Sequence, residues 1–598
     1  MSSPPKGPRR CEREADMAVF DESAAGDAAA PEKLARLSAD IASATAMREA
    51  LKALQVALTH AHENRFAEAC TFAEEALTHD PSLVFGWHLL GIGRDKLNQR
   101  SQALDAYERA FALSPADPDI AHDLGRLAFK MDMLPQAEAL FRHCLSYKIG
   151  AREPSNNLGA LLRRQMRFDE AIEVLRLALM AEPEAPMLWL TLGTIVGDKG
   201  DIDQAEIFYS EALRLDPSYA KAHYNLANIL FTKHRHDEAL SHCHKAIELS
   251  DVPEDSSMMR FALSTMLLAR SELTQGWAYY DARLEPTYAE PIHFVVDRPR
   301  WTPGTSIAGR HLMLFGEQGL GDEILFANVL DDVLADLGPE GRLTVAVTDR
   351  LLPFFQRSFP SVTFGSHATL KGSGRAFRGA QFIKDWSDID LWAPLGAMLK
   401  SYRGAISQFP DRPKGYMKAD PSRAQHWRNT LAHLPGLKVG VLWTSLVIDS
   451  SRHLYFSPFE DWRAVLQTPG VSFVNLQYGD QSEAIAHARD AFGVEIHQPP
   501  GIDLRNDLDD VAALSGALDL VIGFSNASFN IAAASGTPAW LIAVETAWTR
   551  LGTDHYPWYS QVRTYAPATH GDWAAVMAKV AEDLTQEAAR GTGVAATG

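Results

Sequence analysis

The 598-residue sequence sets 57 Lys and Arg against 76 Asp and Glu, a formal net charge of −19. A chain this long exceeds a single hydrophobic core, so several domains are expected. Its acidity excludes a general polyanion-binding surface, and with it nucleic acid as a partner.

Met1 to Pro31 is rich in Ser, Pro, Ala and acidic residues and has no apolar run, so 1–31 is expected to be a disordered leader, with Met17 an alternative start. The four cysteines, Cys11, Cys70, Cys144 and Cys243, are too widely spread for a zinc knuckle or a disulfide framework, which fits a reducing cytoplasm. No window approaches the roughly 20 apolar residues of a membrane span. A cytoplasmic protein without membrane spans is therefore expected.

Alanines recur every 34 residues at Ala69, Ala103, Ala137, Ala171, Ala205 and Ala239. In the same register run Ala76, Ala110, Cys144, Ala178, Ala212 and Ala246, and also Ala57, Gly91, Gly125, Gly159, Gly193 and Ala227. Small residues at these places let two helices of a hairpin approach closely, while Trp87, Tyr107, Phe141, Trp189 and Tyr209 fill the remaining space. Prolines such as Pro81, Pro115, Pro183 and Pro217 then stop the second helix.

The pattern resembles the tetratricopeptide repeat, six copies from about Ala50 to Pro253, within a superhelical domain of residues 32–253. Repeats of this kind bind proteins in a concave groove. Asn157, Asn225 and Asn228 on the inner helices are candidate client-binding residues, since side-chain amides can hydrogen-bond an extended peptide. Capping turns or facing water is the other reading of these asparagines. His234, His236, His242 and His244 read as a surface cluster rather than a metal site. A further helix pair with Trp277, Tyr279 and Tyr280 is expected to cap or dock the array over 254–299.

After Trp301 the texture changes to short apolar runs alternating with amphipathic segments, the pattern of parallel α/β layers. Expected strands are His311–Phe315, Leu343–Val347, Val362–Phe364, Val439–Trp443, Phe473–Gln477, Leu520–Phe524 and Ala539–Val544. The proline-rich 411–436 reads as a linker between two doubly wound Rossmann-like lobes, 300–410 and 437–598. The fold class expected is thus α plus α/β: a repeat solenoid followed by a GT-B pair of lobes with the active site in the cleft at the strand carboxyl ends.

Two strand-to-helix turns stand out. Gly316 to Glu323 is a glycine-rich turn feeding a helix, and Gly523 to Ser528 offers backbone N–H groups and hydroxyls to a donor phosphate. Capping of the helix by Ser525 or Asn526 is compatible with that role.

The phrases FGEQGLGDEILFANVL, VGVLWTS, SSRHLYFSP, VNLQYGD, DLDDVAALSGALDLVIGFSNASFNIAAASGTPAWLI and YPWYS resemble the ordered motifs of heptosyltransferase-like glycosyltransferases fused to tetratricopeptide repeats. With the repeats, the layout is similar to the bacterial flagellin glycosyltransferases. That resemblance implies an inverting, metal-independent enzyme that moves a nonulosonic acid such as pseudaminic acid onto Ser/Thr of flagellin, in support of flagellum assembly and motility. It implies no cofactor, the donor being a nucleotide sugar such as CMP-pseudaminic acid.

The family's catalytic aspartate falls on Asp322, the proposed base for the acceptor hydroxyl, and its phosphate-neutralising cation on Arg452 or the adjacent His453. Gly319, Gly321, Trp443, Thr444, Ser445, Gln477, Tyr478, Ser525, Asn526, Ala527 and Ser528 are the implied donor-binding residues. For Trp443, core packing is an equally good reading. The family has Asp-Thr followed by His after the late strand, whereas this chain has Ser525, Asn526 and Asn530. A neutral cradle suits a sugar that carries its own carboxylate. Two alternatives come with the resemblance: a degenerate adaptor or chaperone, and a transferase acting on a cell-envelope glycan.

Overall fold

A computed structural model of the chain describes residues 30–289, 291–372, 375–445 and 448–595. Most of the expected leader, with Cys11 and Met17, lies outside the described residues; Ala30 and Pro31 already open the first helix. The chain divides into two compact units between Tyr147 and Lys148.

The first unit is built of helix hairpins, α1 (Ala30–His62) with α2 (Phe66–His79), α3 (Val84–Lys96) with α4 (Arg100–Leu113), and α5 (Pro118–Lys130) with α6 (Leu134–Tyr147). The repeat's small positions act by contact. A Cβ on Gly91 would sit 2.6 Å from the Tyr107 ring, so the aromatic of one helix lies directly on the bare backbone of the other. The turns add a feature absent from the sequence pattern: Asn64, Asn98, Asp132, Met166 and His234 all take positive φ, at the repeat's spacing.

The second unit continues with α7 (Arg152–Arg164), α8 (Phe168–Ala181), α9 (Pro186–Asp198), α10 (Ile202–Leu215), α11 (Ala220–Thr232), α12 (His236–Leu249), α13 (Pro253–Ala269) and α14 (Leu273–Tyr280). Its strands are β1 (Ile292–Phe294), β2 (His311–Phe315), β3 (Arg342–Val347), β4 (Thr363–Ser366), β5 (Ala368–Gly372), β6 (Arg375–Gly379) and β7 (Leu391–Pro394) in the first half. The second half adds β8 (Leu437–Leu442), β9 (Val471–Asn475), β10 (Ile496–His497), β11 (Leu520–Phe524), β12 (Ala539–Ile542) and β13 (Val562–Tyr565). Between them run α15 (Leu320–Phe326), α16 (Leu330–Leu337), α17 (Leu352–Ser358), α18 (Leu399–Tyr402), α19 (Pro421–Thr430), α20 (Arg463–Leu466), α21 (Ser482–Phe492), α22 (Leu508–Ser515), α23 (Ala527–Ala534) and α24 (Trp573–Ala595).

Two parallel sheets result. One has the order β4-β3-β2-β7, the other β10-β9-β8-β11-β12-β13. Counted from its own first strand, the larger sheet runs 3-2-1-4-5-6, the dinucleotide-fold order, and the smaller runs 3-2-1-4. In each, the chain reverses its winding direction beside the first strand. Such a reversal leaves a crevice at the carboxyl ends of the two flanking strands.

The larger sheet is covered on both faces, one by the core around Leu442, Val521 and Phe529, the other by Trp462, Phe473 and Met577. The smaller sheet departs from the doubly wound expectation. Its Leu312 and Leu314 side faces helices, but its Met313 and Phe315 side packs under the small β1-β6-β5 sheet with Phe294 and Trp392. The crossover from β4 to β7 forms a hairpin there instead of a helix. The expected linker is also more structured than its prolines suggest. Asp420 caps α19, and Trp427 of that helix is buried, its Nε1 donating to Asp510 at 2.9 Å.

Candidate active site

At the reversal point of the smaller sheet, β2 ends in the glycine turn. Gly316 lies against the Glu323 side chain, where a Cβ would meet the carboxyl at 2.6 Å, and Gln318 adopts φ +58°. The turn is held from several sides. Arg283 forms a buried bidentate pair with Glu317 (Nε to Oε2 3.0 Å, Nη2 to Oε1 2.7 Å), and the Gly396 N–H donates to the same carboxylate at 2.7 Å. Glu323 accepts from the Thr348 N–H and hydroxyl at 2.8 and 2.9 Å and pairs with His367 at 2.8 Å. The Tyr280 hydroxyl donates to Gln318 Oε1 at 3.1 Å.

Asp322 is the acid in this turn without a basic partner among its hydrogen bonds. It accepts from the Gly319 N–H at 3.0 Å. Burial of its carboxyl, with repulsion from Glu317 and Glu323, outweighs that bond and pushes its pKa up to about 6. A carboxylate so placed is a competent proton acceptor near neutral pH.

At the reversal point of the larger sheet, β11 ends at Ser525 and Asn526 caps α23, its Oδ1 accepting from the Phe529 N–H at 3.0 Å. The Asn526 Nδ2 and the Ser528 hydroxyl are buried with no hydrogen-bond partner. Asn530 donates to the Asn526 carbonyl at 2.9 Å and accepts from the buried Tyr559 hydroxyl at 3.0 Å. The two turns meet. A Cβ on Gly321 would stand 3.2 Å from Asn530 Nδ2 and 3.7 Å from the Ala527 N atom, so only glycine allows this approach without displacement.

Between them lies a cavity of about 670 Å³. Of the residues singled out in the sequence, Gly321, Asp322, Ser445, Arg452, Tyr478, Ser525, Asn526, Ala527, Asn530 and Asn228 line it. Asp449 fixes the Arg452 backbone by accepting from its N–H at 2.9 Å, and the exposed Arg452 is among the residues that line the cavity.

Other expected site residues lie elsewhere. Trp443 is core, packed on Phe459 with its Nε1 donating to Gln481 at 3.0 Å. Gln477 is fully buried and splints the ends of β8 and β9, its Oε1 accepting the N–H groups of Trp443 (3.1 Å) and Thr444 (3.0 Å). His453 stacks on Phe168 of α8, with centroids 5.9 Å apart. Gly319 and Ser528 lie beside the cavity lining rather than in it. Asn157 is half-buried on α7 away from the lining, and Asn225 spans to α9 by donating to Thr194 Oγ1 at 3.1 Å.

The lining also includes residues that the sequence motifs did not mark: Thr232 of α11, Thr265 and Met266 of α13, and Thr546 to Thr549 after β12. No periodicity distinguishes these side chains from their neighbours. Among the described residues no cluster of His, Cys, Asp and Glu could hold a metal ion, and no helix is long and apolar enough to cross a membrane.

Sequence comparisons place these features among known proteins. Models of the tetratricopeptide repeat match residues 220–251 and 197–233. Among solved structures, the chain is similar to YrrB, a TPR protein with an unusual peptide-binding site, at 19% identity over 30% of this chain and 92% of that one, with a TM-score of 0.25. The human protein O-mannosyl-transferase TMTC1 is 27% identical over 169 residues, 28% of this chain and 19% of that protein. Protein FlbA of Caulobacter vibrioides is 44% identical over 573 residues, 95% of either chain, so the chain belongs to the FlbA family.

Proposed function

We propose that this protein is an inverting glycosyltransferase of GT-B architecture that moves a sugar from a nucleotide donor onto a protein hydroxyl. The observation that carries the reading is the meeting of two reversal-point turns on one cavity, one bearing Asp322 and the other facing Arg452 across a helix N-terminus. The partial similarity to a protein O-mannosyl-transferase agrees with it but spans only 19% of that protein.

In this reading the acceptor hydroxyl gives its proton to Asp322 as its oxygen bonds to the anomeric carbon. The bond from that carbon to the phosphate oxygen breaks, and the nucleotide leaves with the electron pair. Arg452 and the first N–H groups of α23 stabilise the charge that develops there. The neutral Ser525 and Asn530 suit a donor sugar carrying a carboxylate, and we take the donor to be a nonulosonic acid such as CMP-pseudaminic acid. The helical repeats hold the client, flagellin, and raise the local concentration of its Ser/Thr hydroxyls.

Intact-mass analysis of flagellin coexpressed with this chain and a nonulosonic acid pathway tests the reading. A mass gain that disappears with Asp322→Asn and with Arg452→Ala is the expected result. Client binding with no gain in the wild type makes the chain an adaptor instead.

A further inference from the structure

The cavity has two chemically opposite walls. On the strand-end side stand Arg452 and the N-terminus of α23, which donate hydrogen bonds. On the other side α11 and α13 contribute Asn228, Phe231, Thr232, Thr265 and Met266, none of them charged.

Both hydroxyl protons of this second wall, and one of the two amide protons of Asn228, are already used within the helices. The Asn228 amide donates to the Tyr224 carbonyl at 2.9 Å, the Thr232 hydroxyl to the Asn228 carbonyl at 3.0 Å, and the Thr265 hydroxyl to the Ala262 carbonyl at 2.8 Å. What remains for a ligand is the Asn228 Oδ1, the second N–H of that amide and the lone pairs of two hydroxyls, a set made mostly of acceptors. Phe231 and Met266 supply apolar surface between them. Such a wall offers a single N–H to a phosphate or a carboxylate, which need several donors. It matches a chain that presents N–H groups at regular intervals beside small side chains, which is an extended polypeptide.

We infer that the α11–α13 wall is the acceptor subsite, where Asn228, Thr232 and Thr265 accept hydrogen bonds from backbone N–H groups flanking the modified Ser or Thr. The inference rests on the transferase reading above and adds a substrate orientation to it: donor on the strand-end wall, acceptor backbone on the helix wall, the hydroxyl directed at Asp322 between them. It also makes recognition next to the modified residue dependent on backbone shape more than on side-chain identity.

The test uses the full chain with purified flagellin and CMP-pseudaminic acid. Thr232→Val and Thr265→Val keep shape while removing the acceptor oxygen, and Asn228→Leu removes the amide. Thermal melts confirm that each variant folds. Each should raise the KM for flagellin roughly three- to tenfold, the loss of one neutral hydrogen bond. Donor affinity, measured separately by calorimetry, should be unchanged. Weakened donor binding would instead assign the wall to the sugar and overturn the inference. So would an unchanged flagellin KM in variants that still transfer. Absence of any transfer by the wild type would overturn the transferase reading itself, a result distinct from both.

Discussion

The turn after β2 and the turn after β11 occupy equivalent places in their two sheets but are wired in opposite ways. The first crowds three acids into seven residues and ties down two of them, Glu317 in an ion pair with Arg283 and Glu323 in hydrogen bonds with His367 and Thr348. Asp322 is left holding a proton more tightly than an ordinary aspartate. The second turn, Ser525 to Asn530, contains no ionisable side chain and retains buried polar atoms without partners. The same backbone device, a strand feeding a helix at a winding reversal, thus yields a carboxyl of raised pKa in one sheet and an uncharged turn with unpartnered polar atoms in the other.

The sharpest way to break that contrast is Asp322→Asn. The transfer rate should fall by about 10²–10⁴, with donor affinity intact. In the wild type the rate should rise with pH through about 6 and then level, because the base must be ionised. Stability moves the other way. Asp322 binds its proton more tightly folded than unfolded, so it withdraws stability as pH rises from its ordinary 3.8 through about 6. An amide at this position does not titrate and so lacks that loss, and a melt series from pH 4 to 8 should show a variant at least as stable as the wild type at neutral pH. A variant clearly less stable at pH 8 than the wild type would contradict the assignment.

Arg283→Met attacks the support of the first turn. It strands the buried Glu317 carboxylate, and denaturant titration should show a loss of about 3–5 kcal/mol. A loss below about 1 kcal/mol would mean that the pair does not hold the turn. Ser525→Asp attacks the neutrality of the second turn. At this exposed position a new charge near an acidic sugar costs about 1 kcal/mol, so affinity for an acidic donor should drop about fivefold while a neutral nucleotide sugar is unaffected. Equal affinity losses for both donors would remove the argument from neutrality. The smallest effect is expected of Trp443→Phe, which should lower the melting temperature by a few degrees and leave donor affinity unchanged. A large loss of donor affinity would return Trp443 to the cavity.

Much of this architecture is legible in the residues. The repeat is readable because close helix packing forces the same small side chains to recur at one period. Strands such as β2 and β11 are readable because their central residues are buried on both faces, which demands continuous apolar runs. The elements missed are those with divided environments. β13 alternates buried Val562 and Tyr565 with Arg563, which pairs with Asp583, and β7 is four residues ending in proline. The site was legible where a backbone requirement leaves a mark, as at Gly321 and Asn526. It was not where a side chain works through a distant partner. Gln477 reads as a ligand-facing amide until β8 is laid beside β9, and nothing near Arg283 announces a carboxylate 34 residues on.

The account depends most on the strand-end wall holding a nucleotide sugar. Calorimetric titration of the wild type and Arg452→Ala with a panel of nucleotide sugars, CMP-pseudaminic acid among them, tests it directly. The prediction is saturable binding of an acidic donor by the wild type, weakened at least tenfold in the variant. No binding by any donor, or equal binding by both proteins, would contradict it.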